Sequence, residues 1–256
     1  MEKYVARELI RISSEAEKTA YEESGDIYEL LNNTAQICDN LANNLITSDS
    51  TFHLSEVVKK SYDQLNERIK TAKTGELTGI PTGLTDLDTS TNGWQNGDLI
   101  VIAARPGMGK TALTLTLAKA AAKKGKKVGM FNLEMSAVRL SDRILAGEAD
   151  VDLSAFRAGK LNSEDMTKVN KAVDRLLELG IYIDDTACLT PEMLRHRIKH
   201  LHRQGKCDMV IVDYLQLEDM YVKNGSREQA VSEASRMAKV TAKELNIPYI
   251  LLSQLN

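Results

Sequence analysis

The stretch Ala104-Arg105-Pro106-Gly107-Met108-Gly109-Lys110-Thr111 directly follows an apolar run, Leu99 to Ala103, and opens a helix-favouring run, Ala112 to Lys124. Glycines in such a loop let backbone N–H groups turn inward around phosphate oxygens, and the start of the helix adds positive potential. Lys110 can then reach the terminal phosphates and the Thr111 hydroxyl can ligate magnesium. The stretch reads as a P-loop for ATP with Mg2+, with Arg105, Pro106, Gly107, Met108, Gly109, Lys110 and Thr111 as its nucleotide-contacting set. Against the pattern GxxxxGK[ST], Ala104 stands at the first glycine, a position that enters the loop rather than cradles phosphate. The competing reading is a ligand-free turn from strand to helix. It leaves the intact Gly109-Lys110-Thr111 without a reason.

Three further residues have types and positions that suit the same chemistry. Asp213 ends the apolar run Met209 to Val212, where a carboxylate can stand beside the magnesium shell; capping of the following segment is the alternative. Glu134 follows the run Val128 to Leu133 and, at the same edge of a parallel sheet, could align and deprotonate the attacking water. A first-turn glutamate stabilised by the next helix dipole is the alternative. Gln254 lies just past the run Tyr249 to Leu252, where its amide could sense the terminal phosphate, although an ordinary loop glutamine would look the same. The basic segment Arg195, His196, Arg197, Lys199, His200, His202, Arg203 and Lys206 is expected to be a solvated helix face. His196 and His200 are four apart but have no third ligand at convincing spacing, so zinc is not expected. His53 and Trp94 belong to no constellation.

These residues need a scaffold that brings strand ends to one edge. The runs Leu99 to Ala103, Val128 to Leu133, Ile181 to Asp184, Met209 to Val212 and Tyr249 to Leu252 are short and almost continuously apolar, the signature of strands buried on both faces. Helical segments alternate with them. Gly125 and Gly180 sit where C-terminal caps belong, and Thr190-Pro191 places a cap before a first-turn proline. A doubly wound, mainly parallel α/β domain is therefore expected, with Tyr249 to Leu252 at an uncovered sheet edge.

Ahead of that domain, residues 1–47 favour short amphipathic helices. Leu54, Val57, Val58, Tyr62, Leu65 and Ile69 then make a cleaner apolar stripe along one helix. Taken alone, the stripe is expected to face the chain's own core, with a neighbouring subunit as the alternative. A net charge of -3 across 256 residues gives no global basic field, so contact with nucleic acid must come from a local patch or from assembly. Cys38, Cys188 and Cys207 fit neither a disulfide framework nor a paired zinc site, and the N-terminus carries no signal or membrane span. A reducing cytoplasm is the expected setting.

Taken together, the stretches Thr78 to Asp88 (TGIPTGLTDLD), Ala104 to Thr111 (ARPGMGKT), Asn132 to Ser136 (NLEMS), Ile181 to Asp185 (IYIDD), Val212 to Leu217 (VDYLQL) and Ser253 to Asn256 (SQLN) resemble the DnaB-type hexameric replicative DNA helicases. The resemblance runs along essentially the whole chain. It implies a RecA-like P-loop ATPase core over 80–256, a linker helix and turn over 48–79, and closing helices of an N-terminal domain over 1–47. It also implies that Glu134 is the catalytic base, with Lys110 in the catalytic set, that Asp213 and Thr111 serve magnesium, and that Gln254 links nucleotide state to the DNA side. The implied partners are single-stranded DNA, five further copies in a ring, a primase and a loader, with 5'-3' unwinding and no membrane. The linker stripe would then face an adjacent subunit. Family members continue past the position of Asn256 with DNA-facing loops and an arginine finger, so this chain alone is expected to bind nucleotide but hydrolyse it poorly. A RecA-like recombination ATPase is a rival reading, as is a module that docks on intact helicase subunits without unwinding.

Overall fold

The computed structural model describes residues 2–21, 27–45, 52–186, 189–213 and 227–254. Cys188, most of the VDYLQL stretch and the last two residues of SQLN lie outside them. The chain divides into two compact units, 1–67 and 68–256.

In the first unit, helices α1 (Glu2–Tyr21) and α2 (Ile27–Leu45) lie against one another, with Ile12 buried. Helix α3 (Leu54–Thr74) carries the apolar stripe, and the division between units falls inside it. All six stripe residues are exposed, Leu54 at 72% and Tyr62 at 63%. The stripe is left uncovered along this helix, where periodicity alone pointed to burial.

The second unit is built on a five-stranded parallel sheet of β1 (Leu99–Ala104), β2 (Val128–Asn132), β3 (Ile181–Asp184), β4 (Met209–Asp213) and β5 (Tyr249–Gln254), in the order β1-β5-β4-β2-β3. Because strand side chains alternate between faces, each central strand feeds two cores. Val128, Met130, Met209, Ile211, Ile250 and Leu252 pack against α5 (Lys110–Lys123) and α6 (Ala137–Ala149). Phe131, Val210, Val212, Tyr249 and Leu251 pack against α9 (Pro191–Arg203) and α10 (Arg227–Leu245). That is the doubly wound arrangement: helix, sheet, helix. A smaller cluster of Ala149, Val169 and Ala172 joins α6 to α8 (Ser163–Leu177), with the short α7 (Leu153–Arg157) between them.

Several expectations change in detail. Only the three inner strands are buried on both faces; β1 and β3 form the sheet edges, and Val101 is 54% exposed. The sheet edge lies at β1, since β5 sits between β1 and β4. Gly125 takes the left-handed conformation of a helix C-terminus (φ 75), and Thr190 caps α9 by accepting from the Met193 N–H. Gly180, by contrast, has no positive φ; a Cβ there would lie 3.2 Å from Lys127 Cγ, so close packing explains the glycine. Nor is α9 a uniformly solvated basic face. Lys199 is buried and pairs with Glu244 at 2.8 Å, Arg195 pairs with the same carboxylate at 2.8 Å, and Arg197 pairs with Asp184 at 2.7 Å.

The TGIPTGLTDLD segment also acquires a physical reason. Helix α4 (Thr85–Thr91) supplies Asp88, which accepts from the Thr82 and Gly83 N–H groups at 2.8 and 3.2 Å. Gly83, at φ 80, then lies so near α5 that a Cβ would come within 2.5 Å of Ala120 Cβ. Ile80 bridges to Trp94, and both enter the core shared with α5. The motif ties the domain's entry to the helix that begins with Lys110.

Candidate active site

β1 hands the chain to the loop 105–109, which is turned by two residues in the left-handed region, Gly107 (φ 78) and Gly109 (φ 82). A Cβ at either would meet nothing within 4 Å, so backbone conformation rather than crowding calls for glycine there. Ala104 is the last residue of β1, in register with Gln254, which explains why this position does not need a glycine. Gly109 is the N-cap of α5 and offers no side chain to the helix's first N–H groups. Those donors and the helix dipole are left to a ligand anion.

The loop borders a cleft of about 360 Å³ whose walls include Arg105, Pro106, Gly107, Gly109, Lys110, Thr111, Glu134 and Gln254. Met108 does not line it and is 74% exposed. Behind the cleft, Lys110 Nζ lies 3.2 Å from Asp213 Oδ1, with side-chain exposures of only 10% and 4%. The contact is an ion pair by distance but too oblique for a hydrogen bond, so Nζ and both Asp213 oxygens are buried without a hydrogen-bond partner among the described residues. Buried charges left in that state demand partners. Phosphate oxygens for Lys110, and a hydrated hard cation for Asp213, meet the demand. The donor set of one carboxylate and the Thr111 hydroxyl suits magnesium, which keeps several waters and binds alongside phosphates rather than in an all-protein cage. Among the described residues no group of three or more His, Cys, Asp or Glu could form such a cage.

Glu134 emerges from the turn between β2 and α6. Since Ser136 is the N-cap of α6, Glu134 stands ahead of the helix and is not a first-turn residue. Asp213 and Gln254 are the final residues of β4 and β5, so Gln254 stands in the strand rather than in a loop. Four wall residues have no role in the sequence reading: Ala104, Ala112, Met135 and Arg143. Arg143 reaches the cleft from α6 with its Nε buried and without a partner among the described residues. In the sequence it looks like any arginine on an amphipathic helix, and only the packing of α6 on the sheet turns it inward.

The comparisons with known proteins agree with the fold. Residues 79–256 match the family model described as DnaB-like helicase C terminal domain. The chain is 37% identical over 257 residues to the replicative DNA helicase DnaB of Geobacillus stearothermophilus, and 37% identical to the replicative DNA helicase DnaC of Bacillus subtilis (strain 168). All of this chain is covered in both cases, and it spans 56% of each relative's length. Among solved structures, one described as an ATPase domain aligns with a TM-score of 0.71 at 32% identity, covering 78% of this chain and 71% of that one. A DnaB-like replicative helicase, described with its interactions with primase, aligns with a TM-score of 0.75 at 26% identity, covering 100% of this chain and 58% of that one. With a parallel α/β core, a P-loop cleft and these relatives, the chain belongs to the DnaB-like replicative helicase family.

Proposed function

We propose that this chain is the nucleotide-binding and hydrolysing part of a replicative DNA helicase subunit, coupling ATP hydrolysis to 5'-3' translocation on single-stranded DNA within a six-membered ring in the cytoplasm. In this reading 1–47 belongs to an N-terminal helical domain, 48–79 is the linker and 80–256 is the ATPase domain. The observation that carries it is the buried, hydrogen-bond-deficient pair of Lys110 and Asp213 at the back of a P-loop cleft that Glu134 and Gln254 also line.

The loop N–H groups and the start of α5 hold the phosphates, and Lys110 neutralises charge on the terminal ones. Thr111 and Asp213 would hold magnesium, which would supply Lewis-acid stabilisation of charge on the phosphate oxygens. Glu134 accepts a proton from the attacking water. Arg143 adds positive charge from α6, and a neighbouring subunit's arginine supplies the remainder, a contribution of roughly 10³ to 10⁵ in rate where such fingers operate. Gln254, at the end of the strand beside β1, reports the state of the terminal phosphate towards the DNA side. Primase and loader are the partners implied for the ring.

Lys110→Ala should abolish most binding of a fluorescent ATP analogue in the presence of Mg2+. Unchanged affinity would overturn the assignment.

The exposed stripe on α3 supports the linker reading, in which it docks on another copy. An apolar groove between α6, α8 and β3, of about 240 Å³ and lined by Ile144, Val173, Leu176 and Ile181, offers a receiving surface of matching character. The double variant Leu54→Asp/Leu65→Asp should lower the mass seen by light scattering in a version that oligomerises, and unchanged mass would exclude docking. The same exposed stripe is what favours the second reading, a docking module without unwinding activity. DNA-stimulated ATP turnover decides between them.

A further inference from the structure

Between β2 and α6 the chain must turn from a fully buried strand to the cleft wall, and one side chain governs that turn. Asn132 is the last residue of β2 and only 3% exposed, so its amide must find partners inside the protein. Its side chain accepts from the Glu134 N–H at 2.9 Å and from the Met135 N–H at 2.7 Å. Two N–H donors converge on that atom, which identifies it as the oxygen, Oδ1. An asparagine accepting from backbone donors two and three residues on forms an Asx-type turn, which restricts the backbone between them.

The rest of the segment is also anchored. Leu133 is buried in the core on the α9 and α10 side, and the Ala137 N–H at the start of α6 donates to Asp185 Oδ2 at 2.8 Å. Asn132 moreover stands opposite Asp213 in the β2–β4 register. One rung of the sheet thus carries both the residue that shapes the Glu134 turn and the carboxylate that faces Lys110. A base that must align water is useful only where its backbone is fixed, because misplacement by about 1 Å can cost on the order of 100-fold in rate.

We propose that Asn132 is a positioning residue for hydrolysis: its side-chain oxygen locks the turn that presents Glu134 to the cleft, without touching nucleotide itself. The inference rests on the reading of Glu134 as the base.

Three measurements on the full chain test it. In Asn132→Ala, the Glu134 and Met135 amides should exchange with solvent at least about tenfold faster, since Oδ1 is their acceptor. Affinity for the fluorescent ATP analogue should stay within about twofold, while single-turnover hydrolysis with protein in excess falls about tenfold or more. Asn132→Ser, which retains a weaker oxygen acceptor, should recover part of both the protection and the rate; this separates loss of the turn from loss of the fold. In a Glu134→Gln background, Asn132→Ala should cost no further rate. Protected amides in Asn132→Ala, a matching loss of nucleotide affinity, or an additive loss in the double variant would overturn the proposal. Parent-like hydrolysis by Glu134→Gln alone would instead remove the underlying reading of Glu134, a result visible whatever Asn132 does.

Discussion

Glu148 on α6 receives Lys119 at 3.0 Å, Lys123 at 3.1 Å and Arg175 at 3.3 Å, joining α5, α6 and α8 through a carboxylate that is 10% exposed. Burial pushes its pKa upward, but hydrogen bonds and charge from Lys119 and Lys123 outweigh that, and the carboxyl is held below its ordinary value of 4.5. Glu148→Gln leaves three cations facing a neutral amide, so a loss of about 1 to 3 kcal/mol is expected in urea unfolding. Arg11→Gln, which removes a cation that pairs with Glu15 where both side chains are well exposed, should shift the midpoint far less. The same contrast between local and tertiary placement explains what could be read at this scale. Gly107, Gly109, Lys110 and Thr111 act through the loop that contains them, so their chemistry is written in consecutive letters. Arg143 and Asn132 owe their roles to where α6 lies and where β2 stops, and neither has a distinctive spacing. Met108, in the same motif, keeps its side chain out of the cleft, so what it can offer a phosphate is its backbone N–H.

At the scale of elements, the two glycines that the sequence alone presents as equivalent caps should respond differently to substitution. Gly125→Ala forces a side chain into the left-handed region and should cost about 1 kcal/mol. Gly180→Ala carries no such backbone strain and meets one tight approach, 3.2 Å to Lys127 Cγ, so it should cost less than Gly125→Ala. Gly83→Ala combines positive φ with a collision against Ala120, so about 1 to 3 kcal/mol is expected, together with weaker nucleotide binding because α5 must shift. Thermal unfolding with and without nucleotide measures both effects. Strand identity was legible because apolar runs of this length suit a buried sheet. The strand ends were not: Asp213 and Gln254 are polar, yet both remain in the ladder, Asp213 beside Leu252 and Gln254 beside Ala104. Edge positions were hidden for a related reason, since strand order depends on crossovers that local pattern does not encode.

For the molecule as a whole, Asp184 and Glu244 repeat the behaviour of Glu148. Burial pushes each upward, and hydrogen bonds and charge, from Thr186 and Arg197 or from Lys199 and Arg195, hold it lower overall. A carboxyl whose folded pKa lies below its unfolded one binds fewer protons folded than unfolded. Its contribution is therefore complete above the unfolded values of 3.8 and 4.5 and disappears as pH falls through the folded ones. Stability by urea titration should be level with respect to these groups at neutral pH and decline below about 4.5, and Glu148→Gln should make the decline shallower. The strand order has a further consequence, in time rather than in energy. β1 and its P-loop are made early, but the strand that pairs with β1 is β5, made last of the five. At a synthesis rate of roughly 5 to 20 residues per second, the interval between them is on the order of ten seconds. Throughout it, a chain still on the ribosome carries β1 without its sheet partner, so the nucleotide binding proposed above is expected to begin only after β5 has emerged.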